Sequence, residues 1–122
     1  MREALLRSLT KRRDFDLVFR EGKHLASRYL VIYARPNGLA FNRLGLSVGK
    51  KLGTAVTRNR IKRLLREAIR KALGGTACRC DFVIVAKRSS VEGRLDDFII
   101  EIKNYLSRFM HEKSIAVSFK AV

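Results

Sequence analysis

The chain has 122 residues, 47% of them hydrophobic, which suits one domain over residues 1–122 with a single core and excludes a division into several domains. Its 27 lysines and arginines against 11 acids give a net charge of +16, which favours an RNA or DNA partner. No apolar run could span a membrane and residues 1–10 lack the apolar core of a secretory signal, so we expect a cytoplasmic protein without a membrane partner.

Residues 11–22 have the pattern of a short helix. Phe15 and Phe19 lie one turn apart and share a face, and Arg12, Arg13 and Arg20 lie in the same segment. Rings among cations are typical of a groove for single-stranded nucleic acid, because rings stack on bases and cations neutralise phosphates. The two phenylalanines could equally be core residues, and the sequence favours neither interpretation.

Two strands are predicted next, over residues 28–35 and 43–50. The first is apolar on both sides, so it is predicted to be buried over at least much of both faces. The second is bulky on one face and nearly bare on the other, where Gly45, Ser47 and Gly49 alternate. The bare face fits either a close-packed strand or a shallow floor for a ligand backbone, which Tyr33 would border.

The stretch over residues 50–71 dominates the charge pattern, with nine basic residues and Glu67 as its one acid. We predict a helix here, capped by Thr57 and ended at Gly74 and Gly75. At about 100° per residue, one stripe of this helix is apolar and is expected to face the core. Its members are Ile61, Leu64, Leu65, Ala68 and Ala72, with Ile69 at the margin.

The rest of that helix surface is almost entirely cationic. A solvated helix face normally interleaves acids with bases, whereas here we expect a single ion pair, between Arg63 and Glu67. Unpaired like charges cost stability, and cations in the first turn oppose the helix dipole. The cationic face is therefore better explained as a site for a polyanion, with nucleic acid as the candidate.

Residues 81–87 form a continuous β-branched run that suits a central strand. The order strand, helix, strand implies that it runs parallel to the strand over 43–50, with the basic helix as the crossover. Ser90 is predicted to cap a second long helix over residues 91–111, and residues 115–120 are predicted to form a short strand. The fold class is therefore α+β.

The acidic residues offer no evident catalytic set. Asp96 and Asp97 point about 100° apart on a helix, and Asp14 and Asp16 diverge further. The common hydrolase, metalloprotease and phosphate-loop motifs are missing from the sequence. We therefore predict a binding protein with no catalytic residue of its own.

The cysteine and histidine pattern does not favour a metal site. A structural zinc site would need Cys78, Cys80, His24 and His111 together, and their irregular spacing disfavours it. A disulfide between cysteines separated by one residue would be strained. We expect two free thiols and no metal bound by the protein.

The segment AVTRNRIKRLLRE at residues 55–67, preceded by GLSVGKK at 45–51, resembles the signature of the bacterial ribonuclease P protein subunit family. The segments DFDLVFREG at 14–22 and YLVIYA at 29–34 also resemble the family, in order and in spacing. The resemblance implies a single-domain α/β sandwich like the second domain of ribosomal protein S5, in the order α-β-β-(β)-α-β-α. It also implies that the crossover around the basic helix is left-handed.

The resemblance further implies a protein partner of a catalytic RNA that removes the 5′ leader from precursor tRNA. The RNA would carry the hydrolysis with Mg²⁺ that it holds itself, and no further protein would be obligatory. The residues implied to bind the catalytic RNA are Arg58, Asn59, Arg60, Lys62, Arg63, Arg66 and Arg70. The residues implied to bind the leader are Phe15, Phe19, Tyr33, Ser47, Val48, Lys50, Lys51 and Arg12.

Two other functions fit the residues less well. A ribosomal or other structural RNA-binding protein would share the basic helix but would play no part in cleavage. An autonomous nuclease would need side chains distant in sequence to form an active site.

Overall fold

The computed structural model describes residues 6–109, which form a five-stranded mixed sheet with helices on both faces. Short 3₁₀ helices lie at Lys50–Leu52 and Arg88–Glu92. The predicted α+β class is confirmed. The main elements in chain order are β1 (Leu6–Ser8), α1 (Arg12–Glu21), β2 (Lys23–Ala26), β3 (Leu30–Pro36), β4 (Asn42–Ser47), α2 (Ala55–Leu73), β5 (Cys80–Ala86) and α3 (Leu95–Tyr105).

The strand order across the sheet is β1-β4-β5-β3-β2. The strands β1, β4 and β5 are parallel, whereas β3 runs antiparallel to both β5 and β2. The predicted parallel pairing of β4 with β5 across the basic helix is confirmed. Three strands lie between α1 and α2, but the additional one, β2, precedes the two predicted strands, whereas the bracketed strand of the predicted order follows them. The three-residue β1 was not predicted.

The two faces of the sheet carry cores of different size. The helices α2 and α3 pack together over one face, where the buried side chains include Ile32, Ile61, Phe82, Phe98 and Tyr105. The helix α1 covers part of the other face with a smaller core. That core is made of Leu9, Val18 and Val83, with Phe15, Tyr33 and Val85 packed against it.

A partly buried ion pair joins the neighbouring strands β4 and β5. The Arg43 guanidinium donates two hydrogen bonds of 2.7 Å to the Asp81 carboxylate, which is in a residue only 2% exposed. This bond and the Asp81 charge, with a smaller contribution from Asp14 at 3.7 Å, raise the pKa of Arg43 against the opposing effect of burial. The carboxylates of Asp14 and Asp81 are therefore both paired with the Arg43 guanidinium.

The predicted start of α2 at Thr57 is wrong. The helix begins at Ala55, and the Thr54 hydroxyl accepts a hydrogen bond of 3.3 Å from the backbone N–H of Thr57. Gly53, with φ of +136°, sets the chain direction just before this cap. The end at Gly74 is confirmed, since this residue adopts the left-handed conformation.

The buried stripe of α2 differs in detail from the predicted one. Ile61, Leu65 and Ala68 are fully buried as expected, but Ile69 is fully buried and not marginal. Leu64 and Ala72 are only half-buried, while Leu73 joins the core. Glu67 pairs at 3.8 Å with Lys71 and not with Arg63, although both lie four residues from it. In the observed pair the acid precedes the base along the helix, which is the more favourable order.

The predicted start of the last helix is also wrong. Residues 88–92 form a 3₁₀ helix that buries Ser90, and α3 begins only at Leu95. The Asp97 carboxylate accepts a hydrogen bond of 2.8 Å from the backbone N–H of Arg94 and so caps the helix. The predicted continuation to residue 111 and the strand over 115–120 lie outside the described residues.

The predicted strands are shifted at their ends. β3 begins at Leu30, two residues later than expected, and β4 ends at Ser47 because the chain turns into the 3₁₀ helix at Lys50–Leu52. The helix α1 lies where it was predicted, within one residue at each end.

Candidate nucleic-acid interface

A continuous row of aromatic rings lies beside α1. Phe15 and Phe19 are 6.4 Å apart between ring centroids, and Phe19 meets the Tyr33 ring edge-on at 4.9 Å. The His24 ring stacks on Tyr33 at 5.1 Å with an interplanar angle of 25°. The structure thus brings together the three aromatic residues predicted for the leader and adds His24, which was not predicted. We call these four residues the aromatic row.

Gly45 lets the first ring of this row sit directly on the sheet. A Cβ atom at Gly45 would overlap the Phe15 ring, lying 2.8 Å from Cε2. At Gly45 the bare face of β4 is therefore close-packed, which is the first of the two interpretations that the sequence allowed. At Ser47, two residues along the strand, the side chain is half-exposed and the floor is open.

A row of small, partly or fully exposed side chains crosses the sheet next to the aromatic row. The paired residues Gly45, Val83, Tyr33 and His24 form one row across four strands, and Val83 is buried under α1. The next row on the same face consists of Ser47, Val85, Val31 and Ala26, all small and partly or fully exposed. We call this second row the trough, because its side chains are smaller than the rings of the neighbouring aromatic row.

The remaining residues predicted for the leader lie in different settings. Lys50 and Lys51 are exposed in the 3₁₀ helix that follows β4, close in sequence to the Ser47 end of the trough. Arg12 is exposed in the first turn of α1. Val48 packs instead against the larger core on the opposite face, so it does not contribute to the trough floor.

The cations of α2 divide into free and engaged side chains. Asn59, Arg63, Arg66 and Arg70 are exposed. Arg60, in contrast, is half-buried and donates a hydrogen bond of 3.0 Å to the Val91 carbonyl, which ties α2 to the 3₁₀ helix at Arg88–Glu92. The half-buried Arg58 donates a hydrogen bond of 3.2 Å to the Gly53 carbonyl.

Three α2 cations converge on a pocket at the β1 edge of the sheet. Lys62, Arg66 and Arg70 are spaced by four residues and line a cavity of about 360 Å³. Its floor contains Leu44 and Leu46, and its remaining lining comes from residues 6–10 and Phe15. Phe15 belongs to the aromatic row and also lines this basic pocket. The two predicted binding surfaces therefore meet at the Phe15 ring.

Both cysteines are free thiols that are at least partly buried. Cys80 is buried and Cys78 half-buried, and both are free. Burial, with smaller contributions from Cys78 and Asp81, raises the pKa of Cys80 to about 12, and burial also raises the pKa of Cys78. Within residues 6–109, no group of three His, Cys, Asp or Glu side chains could hold a metal ion. In the same part of the chain, no helix is long and apolar enough to cross a membrane.

Comparison with known proteins gives a consistent family assignment. A family model described as Ribonuclease P matches residues 5–110. A ribonuclease P protein component of Clostridioides difficile is 40% identical over 103 residues, which cover 84% of this chain and 90% of that protein. One from Caldanaerobacter subterraneus subsp. tengcongensis is 45% identical over 92 residues, covering 75% and 78% respectively.

Solved structures agree with the sequence relatives. The RNase P protein of Staphylococcus aureus is similar with a TM-score of 0.72 at 30% identity, covering 82% of this chain and 92% of that one. The RNase P protein of Thermotoga maritima gives a TM-score of 0.71 at 34% identity, with coverages of 84% and 96%.

Proposed function

The chain belongs to the ribonuclease P protein family, and from that premise we propose that it binds two RNAs through adjoining surfaces. Phe15, Phe19 and Tyr33 of the aromatic row, together with the trough, take the 5′ leader of precursor tRNA, and the cations of α2 take the catalytic RNA. The observation that carries the proposal is the meeting of the two surfaces at Phe15. A leader bound along the row would thus lie against an RNA bound along α2.

Leader binding follows from the shapes of the two rows. Aromatic rings can stack on any base, so the row accepts leaders of many sequences. The small side chains of the trough allow the sugar-phosphate backbone to pass close to the sheet, and Lys50 and Lys51 neutralise phosphates near the β4 end. Single-stranded RNA is the ligand that such a combination of rings and cations favours.

Catalytic RNA binding rests on the exposed part of α2. Arg63, Arg66 and Arg70 present guanidinium groups, which hydrogen-bond phosphates in a bidentate manner, and Lys62 adds a point charge inside the basic pocket. Arg58 and Arg60 also stabilise the fold, because each donates a hydrogen bond to a backbone carbonyl. Asn59 lies exposed between them.

The chemistry of the cleavage is assigned to the RNA. The carboxylates of Asp14 and Asp81 are both paired with Arg43, so they do not fit a metal site. We place the Mg²⁺ ions mainly in the catalytic RNA, where they supply the hydrolysis of the phosphodiester bond. The protein residues hold the leader and the RNA in position, in the cytoplasm where bacterial precursor tRNA is processed.

Cleavage of a 5′-extended precursor tRNA at low magnesium tests the proposal. Three reactions are compared: the chain alone, a bacterial ribonuclease P RNA alone, and the two together. We expect cleavage at the mature 5′ end only in the mixture. A chain that adds nothing to the RNA would contradict the proposal for that pairing, and a chain that cuts alone would place catalysis in its own side chains.

Variants of the two surfaces separate their roles. Arg63→Ala and Arg66→Ala are expected to weaken binding of the catalytic RNA, because each removes a phosphate contact. Phe19→Ala is expected to weaken binding of precursor tRNA by about 1–3 kcal/mol, the contribution of one stacked base, and to leave leaderless tRNA unaffected. Binding titrations with each RNA measure both effects, and Lys103→Ala on α3 serves as a cation control.

Equal effects of the two classes of variant on a single RNA would favour the alternative function. In that case the chain would be a structural RNA-binding protein without a role in cleavage.

A further inference from the structure

We infer that His24 is a further leader-binding residue, which stacks on a base of the single-stranded leader beyond Tyr33. The inference rests on the proposed function and extends the leader path to the outer edge of the sheet. His24 lies outside the set of residues that the family signature suggested.

The stacking geometry leaves one face of the imidazole ring available. The ring lies nearly parallel to Tyr33, with centroids 5.1 Å apart, while Tyr33 itself is covered edge-on by Phe19. His24 is exposed and lies on β2, the last strand at this edge of the sheet, so no neighbouring strand covers the side of the ring that faces away from Tyr33. A base on that open face would continue a stack that already contains two rings.

The position of His24 is fixed by the fold and not by a loop. It lies on β2, directly opposite Tyr33 in the antiparallel register with β3. The buried Tyr105 hydroxyl donates a hydrogen bond of 2.6 Å to the carbonyl of Lys23, which anchors the neighbouring residue to α3. A binding residue held in this way does not have to be ordered when the ligand arrives.

The course of the trough leads a bound strand towards His24. The trough starts at Ser47 on β4 and ends at Ala26 on β2, the last strand at this edge of the sheet. At that end the only ring on β2 is His24, since its other residues are Lys23, Leu25 and Ala26. A leader that follows the trough therefore leaves the protein beside the open imidazole face.

Precursor tRNAs with a graded series of leader lengths test this inference in the assembled holoenzyme. We expect His24→Ala to leave the affinity for short leaders unchanged and to lower the affinity for longer leaders by about five- to tenfold, the lower part of the range for one stacked base. His24→Phe is expected to restore the affinity, because it returns a ring. Lys23→Ala, on the opposite face of the same strand, is the control.

The leader length at which each variant begins to lose affinity is the decisive readout. The loss in His24→Ala should begin at a longer leader than the loss in Phe19→Ala, since His24 lies further along the row. Equal affinity of His24→Ala and the wild type at every length would overturn the inference, as would a loss that His24→Phe does not restore. If Phe19→Ala also has no effect, the proposed leader site itself fails.

Discussion

At Gly45 the lack of a side chain decides where Phe15 can lie, and this gives a prediction. In Gly45→Ala, the new Cβ overlaps the Phe15 ring and must displace it. Overpacking of this kind costs about 1–3 kcal/mol of unfolding free energy, and we expect a loss of leader affinity with it. Denaturant unfolding and leader-binding titrations measure the two effects.

Gly49→Ala is the matched control for that substitution. Gly49 lies in the same glycine-rich stretch, has an extended backbone with φ of −76°, and has no atom within 4 Å of an added Cβ. It should leave stability and affinity nearly unchanged. Equal behaviour of the two variants would contradict the close packing of Phe15 on Gly45.

The buried Cys80 thiol predicts a loss of stability at alkaline pH. Its pKa is raised to about 12 in the folded chain, whereas in the unfolded chain the thiol ionises near its ordinary value of 9.0. The stabilising contribution is complete below pH 9.0 and falls as pH rises from there towards 12, by up to about 1.4 kcal/mol per pH unit. Denaturant unfolding across this range should show a shallower fall for Cys80→Ala. Parallel curves would show that the thiol does not titrate differently on folding.

Two residues show where sequence reasoning about the site reaches its limit. The ring pair on α1 follows from helical spacing, but the contact between His24 and Tyr33 depends on strand pairing between residues nine apart. A predicted hairpin over residues 23–34 would have revealed it. Arg60 lies on a cationic flank of the helical wheel, yet its bond to Val91 requires knowledge of how the 3₁₀ helix at Arg88–Glu92 packs.

At the level of elements, Glu101 connects α3 to the turn that precedes β3. Its carboxylate accepts hydrogen bonds from the Ser27 hydroxyl and from the backbone N–H groups of Tyr29, at 3.0 Å, and Leu30, at 3.1 Å. Glu101 is only 9% exposed. This contact therefore fixes the β2–β3 turn, whose two strands carry His24 and Tyr33.

Removal of that carboxylate is expected to be costly. Glu101→Ala leaves buried donors without partners, which costs about 1–3 kcal/mol for each group that water cannot reach. Glu101→Gln should lose less, because one oxygen remains as an acceptor. Thermal or denaturant unfolding measures the difference, with the exposed Asn104→Ala on the same helix as control. A Glu101→Ala variant as stable as the control would show that water replaces the carboxylate.

The helix starts were predicted less well than the helices themselves. Thr54 and Thr57 are equally good caps by residue type, and Gly53, whose positive φ favours glycine, precedes Thr54 at the observed start of the helix. In the last helix, Gly93 cannot carry a side chain because a Cβ would lie 2.6 Å from the Phe98 ring. This glycine lies between the 3₁₀ helix at Arg88–Glu92 and α3, and its close packing on Phe98 cannot be predicted from periodicity alone.

Over the whole molecule, positive charge greatly exceeds negative charge and is concentrated on α2. The net charge is +16, and within the described residues the one ion pair formed between two α2 side chains joins Glu67 to Lys71. If about six phosphates are neutralised, affinity for the catalytic RNA should fall by a factor on the order of 10³ between about 50 and 200 mM monovalent salt. Titrations at several salt concentrations give the slope. A nearly flat response would contradict the assignment of α2 to RNA, and Arg66→Ala should reduce the slope by about one ion.

The fold as a whole was largely predictable because its helices and central strands are strongly patterned. The parallel pairing of β4 with β5 followed from the order strand, helix, strand. The strand β1 was missed because three residues carry too little periodicity to mark a strand, and its position depends on pairing with residues 42–44 far along the chain.

The insertion of β5 between β3 and β4 also has a consequence for synthesis on the ribosome. Residues 6–79 contain four of the five strands, but these form only two separate pairs, β1 with β4 and β2 with β3. The pairs join only when residues 80–86 add the strand that lies between them, and such long-range pairing is slow. The trough spans both pairs, so a nascent chain acquires its leader surface only after β5 has emerged.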